Sequence, residues 1–159
     1  MYYKIVAYNA KFVDVYGVKP GKVPLDVVYT AKPVRRTKEK FDGIRTKRGS
    51  YIHFAKGPLN LMLWYSYFNF QPIQEPAIYQ IQPIGKIEKQ KCPDKVGLFQ
   101  YGANQIQFLG IVNTAEMFDL AVLEFNKDPE KIQRLYPKLN MEQVINKWCQ
   151  HQQKVYFSM

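Results

Sequence analysis

The chain has 159 residues, of which 47% are hydrophobic and 15% aromatic, and its formal net charge is +10. A chain of this length forms about one domain, and so many packing residues exclude an intrinsically disordered protein. No apolar run reaches the roughly 18 residues of a membrane-spanning helix, so we expect no membrane span.

The first third of the chain predicts short strands joined by turns. Residues 3–7, 12–16 and 25–29 are β-prone, and Lys19-Pro20-Gly21-Lys22 has the composition of a turn. Residues 30–49 form a long connection that contains Pro33 and Gly43. Connections of that length in a compact domain are usually functional or ordered by a partner.

The middle of the chain predicts a strand, a helix and two further strands. Residues 51–54 are the first strand, and Gly57-Pro58 is typical of a helix start, since Pro at the first helical position loses no needed N–H. We expect this helix to run to about Phe68 and to pack its aromatic face against a strand at residues 78–81. Pro83 and Gly85 interrupt that strand, as at an edge or a bend. Residues 101–111 are predicted as one last β segment.

The pattern becomes helical from residue 113. Asn113 with Glu116 resembles a capping box, Asp128-Pro129-Glu130 predicts a second helix start, and Asn140 with Gln143 predicts a third. We therefore predict an α+β domain at residues 1–112, with a small mixed or antiparallel sheet. Residues 113–159 would be a helical extension packed on that domain or on a partner.

The positive charge is concentrated before this helical part. Residues 1–112 hold 17 Lys and Arg against 7 Asp and Glu, whereas residues 113–159 hold 6 against 6. The densest stretch is residues 32–48, and its cations are Lys32, Arg35, Arg36, Lys38, Lys40, Arg45, Lys47 and Arg48. Such a run is typical of a solvated loop or of a surface that faces anions. We predict that these residues bind a partner, and we favour a protein because Phe41 is the only aromatic residue available for stacking on single-stranded nucleic acid.

Few residues suggest chemistry. Two histidines and two cysteines have no metal-ligand spacing, so we expect no metal, and no glycine-rich phosphate-binding motif is present. His53 precedes the Gly-Pro helix start and is interpreted either as a site residue or as a hydrogen-bonded structural histidine. The aromatic run at residues 64–70 either stacks a ligand or packs in the core. Isolated thiols and the lack of a signal-peptide pattern favour an intracellular protein in a reduced compartment.

Several short motifs occur in a recognisable order. They are Tyr3-Lys4 with Tyr8-Asn9, Tyr16-Gly17-Val18-Lys19-Pro20-Gly21-Lys22, Gly49 with His53-Phe54 and Pro58-Leu59, Ala77 with Tyr79, and Gly85-Lys86-Ile87-Glu88. Over residues 2–112 this order resembles a small uncharacterised domain family of phages, large DNA viruses and bacteria. We expect a protein of the host cell's cytoplasm or nucleus that also occurs in the virion.

The element order of the same region also resembles the compact ADP-ribosyltransferase fold of the small rifamycin-modifying type. That resemblance implies NAD between residues 29–30, the strand at residues 51–54 and the helix that carries Trp64. His53 would stand at the tyrosine position of the second strand, and Glu88 near the acidic position. The histidine expected near Tyr29 is absent, so the resemblance implies the fold without the chemistry.

These observations favour a non-enzymatic structural or interaction protein, a component of a larger assembly such as a minor structural protein of a virion. Its partners would be other protein subunits, and it would need no cofactor. One alternative is an NAD-dependent ADP-ribosyltransferase-like enzyme that uses His53 and Glu88. Another is a basic nucleic-acid-binding protein that uses residues 32–48.

Overall fold

The computed structural model describes residues 1–6, 23–31, 51–67, 77–92 and 96–157, and within these ranges the chain forms seven strands and four helices. The strands are β1 (Tyr2–Val6), β2 (Val28–Thr30), β3 (Ile52–Lys56), β4 (Ala77–Ile84), β5 (Glu88–Cys92), β6 (Leu98–Ala103) and β7 (Gln105–Val112). The helices are α1 (Gly57–Tyr67), α2 (Thr114–Lys127), α3 (Pro129–Leu135) and α4 (Met141–Phe157).

The described strands form one antiparallel sheet in the order β2-β7-β4-β1-β3-β6-β5. The prediction of an α+β protein with an antiparallel sheet and C-terminal helices is confirmed. The finer likeness to an ADP-ribosyltransferase stays a prediction.

The connection between β6 and β7 requires the sheet to curl. Asn104 alone separates these two strands in the chain, although β4, β1 and β3 lie between them in the sheet. Four strand spacings of a flat sheet would separate them by about 19 Å, whereas the two residue steps from Ala103 to Gln105 span at most about 7 Å. The single β segment predicted at residues 101–111 is therefore wrong. These residues belong to two strands, β6 and β7, and the chain bends at Asn104 to pass from one side of the curled sheet to the other.

The prediction that Pro83 interrupts the strand at an edge is wrong, because β4 continues to Ile84 and lies between β7 and β1. The alternative of a bend is correct for Gly85, which directly follows the strand. β1 pairs with β4 only from Ala77 to Ile81, while β7 continues to pair along β4 as far as Ile84. Pro83 is opposite Ile106 on β7 and lies beyond the end of the β1 ladder. Its missing N–H therefore costs no hydrogen bond to β1.

Two groups of buried side chains lie on the two faces of the sheet. The helix-side core joins the sheet to the helices and includes Tyr3, Leu61, Trp64, Ile78, Leu98, Phe118, Met141 and Trp148. The sheet-interior core lies on the opposite face and includes Val6, Ile52, Phe54, Tyr79, Ile81, Tyr101, Ile106 and Phe108. Residues from both predicted segments, 1–112 and 113–159, contribute to the helix-side core.

Helix α1 begins at Gly57, as predicted, and is apolar on nearly all sides. Six consecutive residues, from Leu59 to Trp64, are buried, which is typical of a helix enclosed by other elements. It packs mainly on α2 and next to β1, β3 and β6. The expected packing on β4 is thus not the main contact of α1, although Trp64 and Ile78 of β4 belong to the same core. The indole N–H of Trp64 donates a 2.7 Å hydrogen bond to the carbonyl of Phe99 on β6.

Candidate functional site

His53 and Glu88, the residues of the enzymatic alternative, lie in one cross-strand row. Gly102 on β6 is directly opposite His53 on β3 and also directly opposite Glu88 on β5. Directly opposite residues share a face of a sheet, and two strand spacings separate the outer Cα atoms by about 9.6 Å. Both residues are half-buried. The structure thus places the two on one face, separated by a residue that has no side chain.

Both residues also have contacts of their own. The Nζ of Lys4 donates a 2.8 Å hydrogen bond to the main-chain carbonyl of His53. This bond forms beyond Tyr3 and Ala55, a paired position of the β1–β3 ladder, so the buried lysine extends the link between the two strands. Glu88 is 3.1 Å from the Nζ of Lys86 in an exposed ion pair, a kind of contact that contributes little to stability.

The other residues selected from the sequence have two different outcomes. All eight cations of the predicted partner-binding segment, residues 32–48, lie outside the described residues. Trp64 and Tyr29, which the NAD hypothesis places at the ligand, both pack against protein groups. Trp64 belongs to the helix-side core, and the ring of Tyr29 contacts that of Phe108 at 5.3 Å between centroids.

A second surface was missed by the sequence reading, and strand pairing creates it. β5 is at the edge of the sheet formed by the described strands, and its Lys89 and Lys91 are directly opposite Tyr101 and Phe99 of β6. Lys56, at the end of β3, approaches the ring of Tyr101. We call this set, Lys56, Lys89, Lys91, Phe99 and Tyr101, the lysine–aromatic surface. The alternation Lys89-x-Lys91 followed by Phe99-x-Tyr101 was the available sequence signal, because residues two apart share a face of a strand.

The ammonium groups of this surface lie over the two rings. The Nζ of Lys89 is 4.5 Å from the centroid of Phe99 and 5.8 Å from that of Tyr101. Lys91 is 5.7 Å from Phe99, and Lys56 is 6.0 Å from Tyr101. These distances are within the range of cation–π attraction, which is worth about 0.5–1 kcal/mol at exposed sites. Four such contacts on two rings bring three positive charges together.

The rings are fixed by contacts beneath the lysines. Phe99 packs edge-to-face on Tyr136 at 5.7 Å, and Tyr101 packs on Tyr2 at 6.4 Å. Burial raises the pKa of Tyr101, and the neighbouring Tyr2 adds to the rise. The three lysines are exposed, and Phe99 is half-buried. Among the described residues, none of these lysines forms an ion pair with a carboxylate.

A cavity of about 260 Å³ lies between α1, α4 and the start of β6. Its lining is mainly apolar and includes Leu63, Tyr67, Leu98, Val144 and Trp148. Lys147 also lines the cavity. The polar groups of Trp148 and Ser66 are already engaged, because the indole N–H of Trp148 donates to the hydroxyl of Ser66, which in turn donates to the carbonyl of Met62. This cavity therefore offers shape but few polar groups to orient a ligand.

Comparisons with protein-family models, curated proteins and solved structures find no match to this chain. In the described part of the chain, no helix is long and apolar enough to cross a membrane. Over the same residues, no cluster of three or more His, Cys, Asp or Glu side chains is arranged to hold a metal ion.

Proposed function

We propose that this chain is a non-enzymatic interaction protein whose lysine–aromatic surface contacts a polyanionic partner. The observation that carries the proposal is the convergence of three exposed ammonium groups on two fixed rings, without a carboxylate partner among the described residues. Unneutralised cations held in one place attract anions. Membership of a larger assembly such as a virion is part of the proposal and stays an expectation from the sequence.

Lysines on an edge strand also have a purely structural use, since they discourage edge-to-edge pairing between molecules. That use explains Lys89 and Lys91, which both lie on β5. It does not explain Lys56, which lies on β3, an interior strand, and approaches the same ring of Tyr101. The convergence from two strands therefore favours ligand binding.

Binding of inorganic polyphosphate by purified protein tests the proposal. The variant Lys56→Gln/Lys89→Gln/Lys91→Gln keeps most of each aliphatic stem and removes three charges. We expect it to bind polyphosphate about tenfold more weakly in 0.15 M salt, because three charge contacts are lost.

The matched control is Lys127→Gln/Lys131→Gln/Lys147→Gln, which removes the same charge from exposed helical positions. It should bind like the natural sequence. Equal weakening by both triple variants would show that net charge, and not this surface, attracts the polyanion. Unchanged binding by the first variant would remove the surface from the proposal.

The row formed by His53, Gly102 and Glu88 favours one second candidate, an NAD-dependent ADP-ribosyltransferase-like enzyme. It needs both side chains on one face, and the registers provide that. We nevertheless expect no turnover of NAD, because the histidine expected near Tyr29 is absent. Transfer of labelled ADP-ribose that is abolished by both His53→Ala and Glu88→Gln would establish the enzyme instead.

A further inference from the structure

We infer that the polyanion is a single-stranded nucleic acid, with a base stacked on Phe99 and its neighbouring phosphates bound by the three lysines of the surface. This inference rests on the proposed function and narrows it to one class of ligand. It concerns the described surface alone.

The three lysines would attract either an acidic protein segment or a nucleic acid, and the aromatic rings distinguish between these two polymers. The face of an aromatic ring carries negative charge density, so it attracts cations and does not attract carboxylates. An acidic protein segment would therefore gain from the lysines and gain nothing from Phe99. A nucleic-acid base has a π face of its own and stacks on an aromatic ring whatever its sequence.

The position of Lys89 suggests how a base would enter. Its Nζ is 4.5 Å from the centroid of Phe99, so the ammonium occupies the place that a stacked base would take. Lys89 is exposed, and its flexible stem allows the ammonium to move from the ring to a phosphate. Lys89 then loses its cation–π contact with Phe99 and gains a charge-assisted hydrogen bond to a phosphate, while the base stacks on the ring of Phe99.

The accessibility of the rings favours a single strand over a duplex. Tyr101 is buried, so the half-buried Phe99 is the ring of this surface that a base can reach. Bases in a duplex are stacked on their neighbours about 3.4 Å apart and are enclosed between two backbones, so their faces are not free to stack on that ring. An extended single strand exposes its bases, and it can place one on Phe99 while its phosphates follow the lysines of β5.

The test compares fluorescein-labelled dT15 with an abasic oligonucleotide of the same length and charge, by fluorescence anisotropy. We expect dT15 to bind about tenfold more tightly, because the abasic chain lacks the stack. Phe99→Leu, which keeps an apolar side chain, should remove this difference, so that the two oligonucleotides bind equally. Phe99→Tyr should restore it.

Two further variants complete the test. Tyr65→Leu removes a half-buried ring of the helix-side core, so it should not change the preference for dT15. The triple Lys→Gln variant should bind dT15 with a weaker dependence on salt. The slope of log affinity against log salt concentration should become less steep by about 2, as expected for three lost phosphate contacts.

The outcomes separate the two proposals. Equal affinity for dT15 and the abasic chain, with both lowered by the triple variant, would overturn the single-strand inference and leave polyanion binding standing. If the triple Lys→Gln variant bound dT15 and the abasic chain as tightly as the natural sequence does, the proposed function itself would be overturned. Phe99 contacts both cores, so a Phe99→Leu protein that fails to fold is replaced by Phe99→Met, with the same expectation.

Discussion

The carboxylate of Glu124 on α2 accepts a 2.9 Å hydrogen bond from the backbone N–H of Leu59, in the first turn of α1. The first N–H groups of a helix have no intrahelical acceptor, and the positive end of the helix dipole favours an anion there. Helix α1 has no acidic residue in its own first turn. An acid 65 residues along the chain therefore supplies the missing charge.

Replacing Glu124 with Ala should lower the free energy of unfolding by about 1–2 kcal/mol, because an N–H at the end of α1 loses its acceptor. Urea denaturation followed by circular dichroism measures this loss. Asp119→Ala, an exposed acid on the same helix, is the control and should change stability by less than about 0.5 kcal/mol. Equal effects of the two substitutions would mean that the Glu124 contact contributes nothing.

Adding a side chain at Gly57 should destabilise the protein. Gly57 has φ +76, and its N–H donates to the carbonyl of Met1 at 2.9 Å. A Cβ there would meet Glu124 only at ordinary contact distance, so Gly57→Ala should cost about 1–2 kcal/mol from the left-handed conformation alone. Gly110→Ala is the control, because nothing lies within 4 Å of its Cβ and its φ is outside the left-handed range. A Gly57→Ala protein as stable as the control would contradict the left-handed turn.

The hydrogen bond between Trp148 and Ser66 should stabilise the packing of α4 on α1. Ser66→Ala leaves the buried indole N–H without its acceptor, so we expect a loss of about 1–3 kcal/mol. Trp148→Phe combined with Ser66→Ala completes a double-mutant cycle, and the coupling measured by urea denaturation should exceed about 0.5 kcal/mol. Additive effects would show that the two side chains do not interact.

Tyr136 should make the protein lose stability in alkali. Burial raises its pKa to about 12, although a hydrogen bond with the side chain of Asn60 partly opposes the rise and the neighbouring Tyr101 and Glu124 add to it. Below the ordinary tyrosine pKa of about 10, both the folded and unfolded states keep the proton. Between pH 10 and about 12 only the folded state keeps it, so stability falls by up to about 1.4 kcal/mol per pH unit.

The variant Tyr136→Phe checks this assignment. Tyr3, Tyr65 and Tyr101 also have pKa values raised by burial, so the natural protein loses stability for several reasons. Unfolding free energies measured from pH 9 to pH 12 should therefore fall less steeply for Tyr136→Phe than for the natural sequence. Parallel curves would mean that Tyr136 ionises equally easily in both states.

The helix starts could be predicted because their determinants are local. Asn113 accepts from the N–H of Glu116, Asp128 from that of Lys131, and Asn140 from that of Gln143, each across three residues. A cap of this kind is complete within one turn of chain, so no distant part of the fold needs to be known.

The strand β5 could not be predicted in the same way. Its residues, Glu88-Lys89-Gln90-Lys91-Cys92, have little β propensity and end in a single buried side chain. They form a strand because β6 offers its hydrogen-bonding edge. The lysine–aromatic surface was missed for the same reason, since it exists only when Lys89 and Lys91 are placed opposite Tyr101 and Phe99.

The sequence by itself determined the α+β class, the helix boundaries at their caps and the excess of positive charge, because composition and contacts within one turn decide these properties. The tertiary structure decided which distant residues meet. The curl at Asn104, the row of His53 with Glu88 and the convergence of Lys56 with Lys89 and Lys91 all depend on strand order and register. Register is fixed by the simultaneous burial of two cores on opposite faces of one sheet, and no single segment of the chain contains that information.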